Sequence, residues 1–385
     1  MLSDAAGKRR RVLDALEHRA PDRVPVGEFF WTRFIQRAVQ EKNLPADFDP
    51  YRYWDLDLIV LVPNMDPHIT GIRVVSGSGG RTVVRTGFGA TIELRDGCPM
   101  PRFLDFETKT WKDIEVLSFD DPADRRRYFD AMDDQLNSVG DALRLGAPSF
   151  VERVASCARD FCVFGSVCEP HEMLWRIIGA ENALVKLAEE PARMERFIER
   201  LGDFLVGIAA AQIAAAEGQL SGLYIWGDIA YDRGMLFSPD YWRAVYKPQL
   251  QRLCEAGHAA GLKIIYHGCG NASAVFEDMI NIGVDAYNPL EAKAGLDVVA
   301  LKRRFGDRWA FNGNVDVRVL ATNDRESIRR EVLRKLNAAK GGGYIIQSDH
   351  SVPDNVSYDS YDYMRQLVRD YGVYPLELGE FDEPV

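Results

Sequence analysis

Tyr224-Ile225-Trp226-Gly227-Asp228, a helical stretch over residues 239–260, and Ile264-Ile265-Tyr266-His267-Gly268-Cys269 decide the fold. A short β-branched and aromatic run ends in a carboxylate, a helix follows, and a second such run ends in an imidazole and a thiol. Ser238-Pro239 supplies an N-cap followed by proline in the first turn, and Gly261 supplies the stop. Pro248 inside the helix predicts a kink, because it has no N–H for the helical ladder. Strand, helix and strand in this order predict parallel pairing through a right-handed crossover.

The same unit repeats outward. Strand-like runs at 161–165, 221–227, 262–267, 284–288, 309–313 and 343–347 alternate with helical segments at 191–216, 239–260, 296–304, 325–339 and 358–371. Five successive strands end in polar or ionisable residues: Asp228, His267 with Cys269, Asn288 with Glu291, Asn312 with Asn314, and Gln347 with Asp349 and His350. In a closed α/β barrel these ends converge on one face, where barrel active sites lie. An open doubly wound sheet is the competing architecture, but it has one crevice and usually a glycine-rich phosphate turn, which this sequence lacks.

The N-terminal part is less regular. A helix from Asp4 to His18 leads into the strand-like Arg23-Val24-Pro25-Val26-Gly27-Glu28, a further helix and the apolar run Leu56 to Val62. Glycine clusters between short β-rich pieces predict a β-hairpin insertion over 72–103. Residues 113–145 are charged and predict a helical surface excursion. One barrel domain over 1–385 accommodates all of this.

Composition narrows the function. The 385 residues are 46% hydrophobic and 27% charged, with a net charge of −11, as in an ordinary globular protein able to bury a large core. Extended nucleic-acid binding is disfavoured, since the Lys8-Arg9-Arg10-Arg11 run stands alone on an amphipathic helix. No apolar stretch approaches the ~20 residues of a membrane span and the N-terminus has no apolar signal core, which predicts a cytoplasmic protein. The six cysteines show no Cys-x-x-Cys pair and no disulfide framework, so they read as reduced thiols.

The sharpest local signal is His267-Gly268-Cys269. Residues two apart on a strand share a face, and imidazole with thiolate makes half of a tetrahedral zinc site. His350 and Glu291 are the leading candidates for further ligands, followed by Asp349. A hydrogen-bonded histidine beside a small buried cysteine is the competing reading. Asp228 suits a general base, a substrate-orienting carboxylate or a helix cap. Asn312 and Asn314 flank Gly313, a pattern that suggests close backbone approach to a bound ligand or cofactor. Asp316 reads as a helix cap, and His18, His68, His171 and His258 as surface or structural residues.

Several ordered motifs then carry a resemblance. Phe164-Gly165, Gly179-Ala180-Glu181-Asn182, Phe237-Ser238-Pro239, His267-Gly268-Cys269-Gly270-Asn271, Asn288-Pro289-Leu290-Glu291, Phe311-Asn312-Gly313-Asn314-Val315-Asp316 and Gly341-Gly342-Gly343-Tyr344 together resemble the uroporphyrinogen decarboxylase superfamily. The resemblance implies a single distorted (β/α)8 TIM barrel. True decarboxylases of that superfamily carry an arginine-rich loop that clamps substrate carboxylates, whereas the corresponding stretch here, Gly27 to Arg33, holds one arginine among aromatics. The other branch comprises cobalamin-dependent methyltransferases, whose zinc is held by His-x-Cys and a later cysteine. His267 and Cys269 match the first two ligands. Ser348-Asp349-His350-Ser351 occupies the place of the third, where His350 is the chemical substitute. The resemblance therefore implies a zinc enzyme moving a methyl group between a corrinoid carrier, free or on a corrinoid protein, and a small thiol, ether, amine or related molecule. His267, Cys269 and His350 would hold the metal, Asp228, Glu291 and His350 would serve catalysis, and Asn312 and Asn314 would face the cofactor. A metal-independent decarboxylase or lyase, or a non-catalytic binding protein, is the alternative, and the chain is expected as a monomer or homodimer.

Overall fold

The computed structural model describes residues 4–70, 72–96, 98, 100–131 and 146–378. In chain order the strands are β1 (Leu58–Leu61), β2 (Arg73–Ser78), β3 (Arg81–Arg85), β4 (Ala90–Arg95), β5 (Arg102–Phe106), β6 (Cys162–Cys168), β7 (Gly222–Trp226), the two-residue β8 (Ala230–Tyr231) and β9 (Gly234–Met235), β10 (Lys263–His267), β11 (Ala286–Asn288), β12 (Ala310–Val315) and β13 (Tyr344–Ser348). Seven of them form one curled parallel sheet in the order β1-β6-β7-β10-β11-β12-β13. Strands covered on both faces should read as continuous apolar runs, and β6 and β13 are buried at every position.

The eighth place in the barrel is taken by residues 25–27, which join the two edges of that sheet. Gly27 N donates to Ile346 O and Ile346 N to Pro25 O on the β13 side, while Val26 O accepts from Asp57 N beside β1. Pro25 has no N–H, and the Val26 N–H is capped by the Asp57 side chain at 2.8 Å. A regular ladder cannot extend through two such residues, so the segment closes the barrel without being a full strand. Asp57 is completely buried and also binds Arg11 and Arg23, which anchors the closing segment to the N-terminal helix Ala5–Leu16.

Inside the barrel, Leu58, Cys162, Phe164, Tyr224, Ile265, Ala286, Ala310 and Ile345 pack on Val12, Ala15 and Leu16 of that helix, which plugs the N-terminal end. The outward faces pack on the crossover helices, chiefly Pro191–Ala215, Lys247–Ala259, Arg325–Asn337 and Tyr358–Tyr371. The kink expected at Pro248 is a π-helical turn over Trp242–Tyr246, immediately before Lys247–Ala259. Pro248 has no N–H to give to the helical ladder just after that turn.

The insertion differs in detail from its sequence reading. Strands β2 to β5 form a four-stranded antiparallel sheet, so it reaches Phe106 rather than 103. Val84, Ala90, Ile92 and Leu94 give it a small core of its own. Within its described residues the excursion carries Trp111–Val116 and Arg126–Phe129 as short helices, and residues 132–145 lie outside the described ones. Fully buried Arg127 donates to the carbonyls of Asn64, Asp66, Asp120 and Asp121, which fastens this excursion to the chain leaving β1.

Candidate active site at the barrel mouth

The ends of β7, β10, β11 and β13 bring together the residues singled out from sequence. Asp228, His267 and Cys269 offer ligand atoms that all lie within 4.8 Å of one another, and Cys269, Glu291 and His350 do the same. The two triads share the Cys269 sulfur. His267 and Cys269 point the same way, with Nε2 3.7 Å from Sγ. Zinc bonds of ~2.0 Å to nitrogen and ~2.3 Å to sulfur at a tetrahedral angle would separate those atoms by ~3.5 Å. The donor set could hold a zinc ion, and the spacing suits one.

Each ligand candidate is held from behind. His267 Nδ1 lies 2.7 Å from Asn288 Oδ1. The imidazole is walled by Trp226 at 4.9 Å and Phe29 at 6.5 Å between ring centroids. The Cys269 N–H donates to Asp228 Oδ1 at 2.9 Å, so Asp228 braces the His-x-Cys turn and does not cap a helix. Glu291 accepts from Gly270 N at 2.7 Å through Oε2, and its Oε1 is 3.3 Å from the Lys293 ammonium. His350 packs on Trp31, with Nδ1 3.3 Å from the Ser351 carbonyl. A carbonyl can only accept, so that contact points the His350 Nε2 lone pair outward.

Burial, followed by the carboxylates of Asp228 and Glu291, pushes the Cys269 thiol well above its ordinary range. Such a thiol is a poor free nucleophile. A divalent cation would reverse the balance and deprotonate it.

Two expectations are corrected. Asn314 cannot face a ligand, because its Oδ1 accepts from Val298 N and Lys335 Nζ while its Nδ2 donates to the carbonyls of Leu290 and Leu296. Gly313 is required by the neighbouring backbone, since a Cβ there would lie 1.9 Å from Pro289 O, at a φ of +138°. Asp349 is likewise occupied, with its two oxygens accepting from Ala292 N and Val317 N at 2.9 Å each. It ties the loops after β11 and β12 to β13. Burial raises its carboxyl to about 6 even so. Asn312 is different, being fully buried with both amide atoms unpartnered among the described residues, beside Gly27 and Gln347. Asp316 does cap the helix Val317–Leu320.

Other residues at the mouth were not singled out from sequence. Glu169, directly after β6, accepts from His171 N through one oxygen while the other is buried and unpartnered, and burial together with Glu172 raises it to about 8. Glu28, at the end of the closing segment, binds the Ser348 hydroxyl at 2.6 Å and is raised to about 7 by burial. The folded protein holds the Glu28 proton up to about 7, whereas an unfolded chain releases it near 4.5. The folded state thus binds more protons between those values, and stability falls as pH rises through that window. Glu28→Gln should remove this dependence, stabilising the protein at pH 8 relative to pH 5 by up to about 3 kcal/mol in urea unfolding. An unchanged difference between the two pH values would show that Glu28 is ionised in the folded state.

Comparison with known proteins identifies the family. A family model described as Uroporphyrinogen decarboxylase (URO-D) matches residues 8–371. The chain belongs to the uroporphyrinogen decarboxylase family. Among curated relatives, the uroporphyrinogen decarboxylase of Methylococcus capsulatus is 29% identical over 185 residues, covering 48% of this chain and 50% of that protein. The enzyme of that name from Thermus thermophilus is 28% identical over 190 residues, covering 47% and 50%. The chain thus spans about half the length of these relatives. Among solved structures, a methyltransferase from Methanosarcina mazei superposes with a TM-score of 0.66 at 16% identity, covering 94% of this chain and 98% of that one. This likeness is one of fold, the TIM barrel of the family. No helix among the described residues is long and apolar enough to cross a membrane.

Proposed function

We propose that this family member is a zinc-dependent methyltransferase that moves a methyl group between a corrinoid carrier and a small-molecule thiol, ether, amine or related substrate. The observation that carries the reading is the convergence of His267 Nε2 and Cys269 Sγ at 3.7 Å, with the acidic and imidazole groups of Asp228, Glu291 and His350 around the same sulfur. His267, Cys269 and His350 would hold the metal, with Glu291 or Asp228 completing its shell. Zinc bound there would supply Lewis acidity, lowering the pKa of an acceptor near neutral pH. The protein's own groups do the rest. Phe29, Trp226 and Trp31 wall the imidazoles and limit water, Glu291 and Asp228 are placed to take or hold a substrate proton, and Asn312 offers an unused amide to a ligand. Arg33, the arginine of the stretch that clamps carboxylates in true decarboxylases, is 3.1 Å from Asp354. That pairing argues for transfer over decarboxylation of a polycarboxylate. A corrinoid protein is the natural partner under this reading.

Two measurements test it. Protein purified without added metal should contain about one zinc per chain, the number one His-x-Cys site can hold, and should pass methyl groups from methylcobalamin to an acceptor. Zinc-free protein that decarboxylates a substrate without cobalamin would move the lyase reading into its place.

A further inference from the structure

Behind His267 lies a buried network that decides which of its nitrogens is free. Asn288 ends β11 and is fully buried, and its Nδ2 donates to the backbone carbonyl of Asn312 at 2.9 Å. A carbonyl oxygen has no proton to give, so the amide can sit only one way round, with Oδ1 facing His267 Nδ1 at 2.7 Å. That oxygen can only accept. His267 must therefore carry its proton on Nδ1, which leaves the lone pair on Nε2, the atom 3.7 Å from Cys269 Sγ and 4.0 Å from Asp228 Oδ1. The fully buried Tyr224 hydroxyl also donates to Asn288 Oδ1 and lies 3.3 Å from His267 Nδ1.

We propose that Asn288 is a positioning residue, which fixes the His267 tautomer so that Nε2 is always presented as the metal ligand. This inference rests on the zinc reading above. Its physical content is a choice between two neighbours. Asn288 can only accept from Nδ1, whereas the Tyr224 hydroxyl, freed from Asn288, could donate to it. With the amide removed, the tyrosine would favour the opposite tautomer and place a proton where the metal must bind. Asn288 and Tyr224 are both at 0% exposure, so the groups facing His267 Nδ1 here are protein groups.

The test needs no substrate. In metal-free wild-type protein, nitrogen-15 NMR should show His267 protonated at Nδ1 and pyridine-like at Nε2. Asn288→Leu should shift that signature towards Nε2–H and weaken zinc binding, titrated against a chromophoric chelator, by about 10- to 100-fold, the range for loss of a group that orients a ligand. Asn288→Asp keeps the acceptor and should restore affinity to within a few-fold of wild type, while Tyr224→Phe should leave the tautomer unchanged. Wild-type His267 protonated at Nε2, or Asn288→Leu binding zinc as tightly as wild type, would overturn the proposal. Should Asn288→Leu not fold, the wild-type spectrum still decides. Wild-type protein that binds no zinc while showing the Nδ1–H tautomer would overturn the metal-ligand role, leaving Asn288 to fix only the tautomer.

Discussion

Cys269→Ser should abolish zinc binding and methyl transfer together while the barrel remains folded. Cys269 is the sulfur common to both triads at the mouth, so no arrangement of the other candidates avoids it. A serine hydroxyl is far less acidic than a thiol and a poorer zinc donor, and the carboxylates of Asp228 and Glu291 oppose a further negative charge at this position. Zinc affinity should fall by more than about 100-fold, beyond the 10- to 100-fold typical when a group that orients a ligand is lost. His350→Ala removes only one member of one triad and should weaken binding less. Fold is monitored by thermal unfolding, which should move little, because one small partly exposed side chain at the rim contributes little to the core. Zinc retained at full stoichiometry in Cys269→Ser, with full activity, would end the methyltransferase reading.

The second large effect concerns stability. Asp57→Ala should destabilise the protein by about 3–5 kcal/mol in denaturant unfolding, the cost of removing one partner from a buried ion pair. Asp57 is fully buried and is bound by Arg11, by Arg23 at 2.8 Å and by the Val26 N–H. Its loss takes a buried carboxylate from the 3%-exposed Arg11 side chain, whose ion pair with Asp22 involves a side chain that is 67% exposed. The same change releases the N–H that holds the closing segment against β1. Glu28 and Phe29 follow directly on that segment, so the mouth should loosen as well. A loss below 1 kcal/mol would mean that the barrel closes without this carboxylate.

Much of this architecture is legible in the sequence because parallel strands buried on both faces leave an unmistakable apolar signature. The runs around Tyr224, Ile265 and Ile345 each end where side-chain chemistry changes from apolar to polar, and that boundary is the barrel mouth. Less legible is the closing segment, since Pro25 breaks the pattern and its pairing is only visible in three dimensions. Glu169 escapes notice for a related reason. Gly165 and Ser166 look like the end of the strand, yet β6 continues to Cys168 and delivers Glu169 to the mouth. Polar residues after a strand also look alike in sequence whether they face a ligand or the neighbouring loops. Asn314 and Asp349 serve the loops, whereas His267, Cys269 and His350 share the mouth, and only the direction of each side chain separates the two groups. Asn288 was visible as a motif residue, but its service to His267 depends on a contact between adjacent strands.

The helix that plugs the far end of the barrel has a kinetic corollary. Val12, Ala15 and Leu16 pack against strand residues inside the barrel, so the helix fills the end opposite the strand-end face. Two reactants meeting at Cys269 would then approach from the same strand-end face. If a bulky carrier and a small acceptor react there, as proposed above, the order of arrival and departure would follow from the architecture. The small partner would have to be seated before the large one covers the entrance, and the large one would have to leave before the product could.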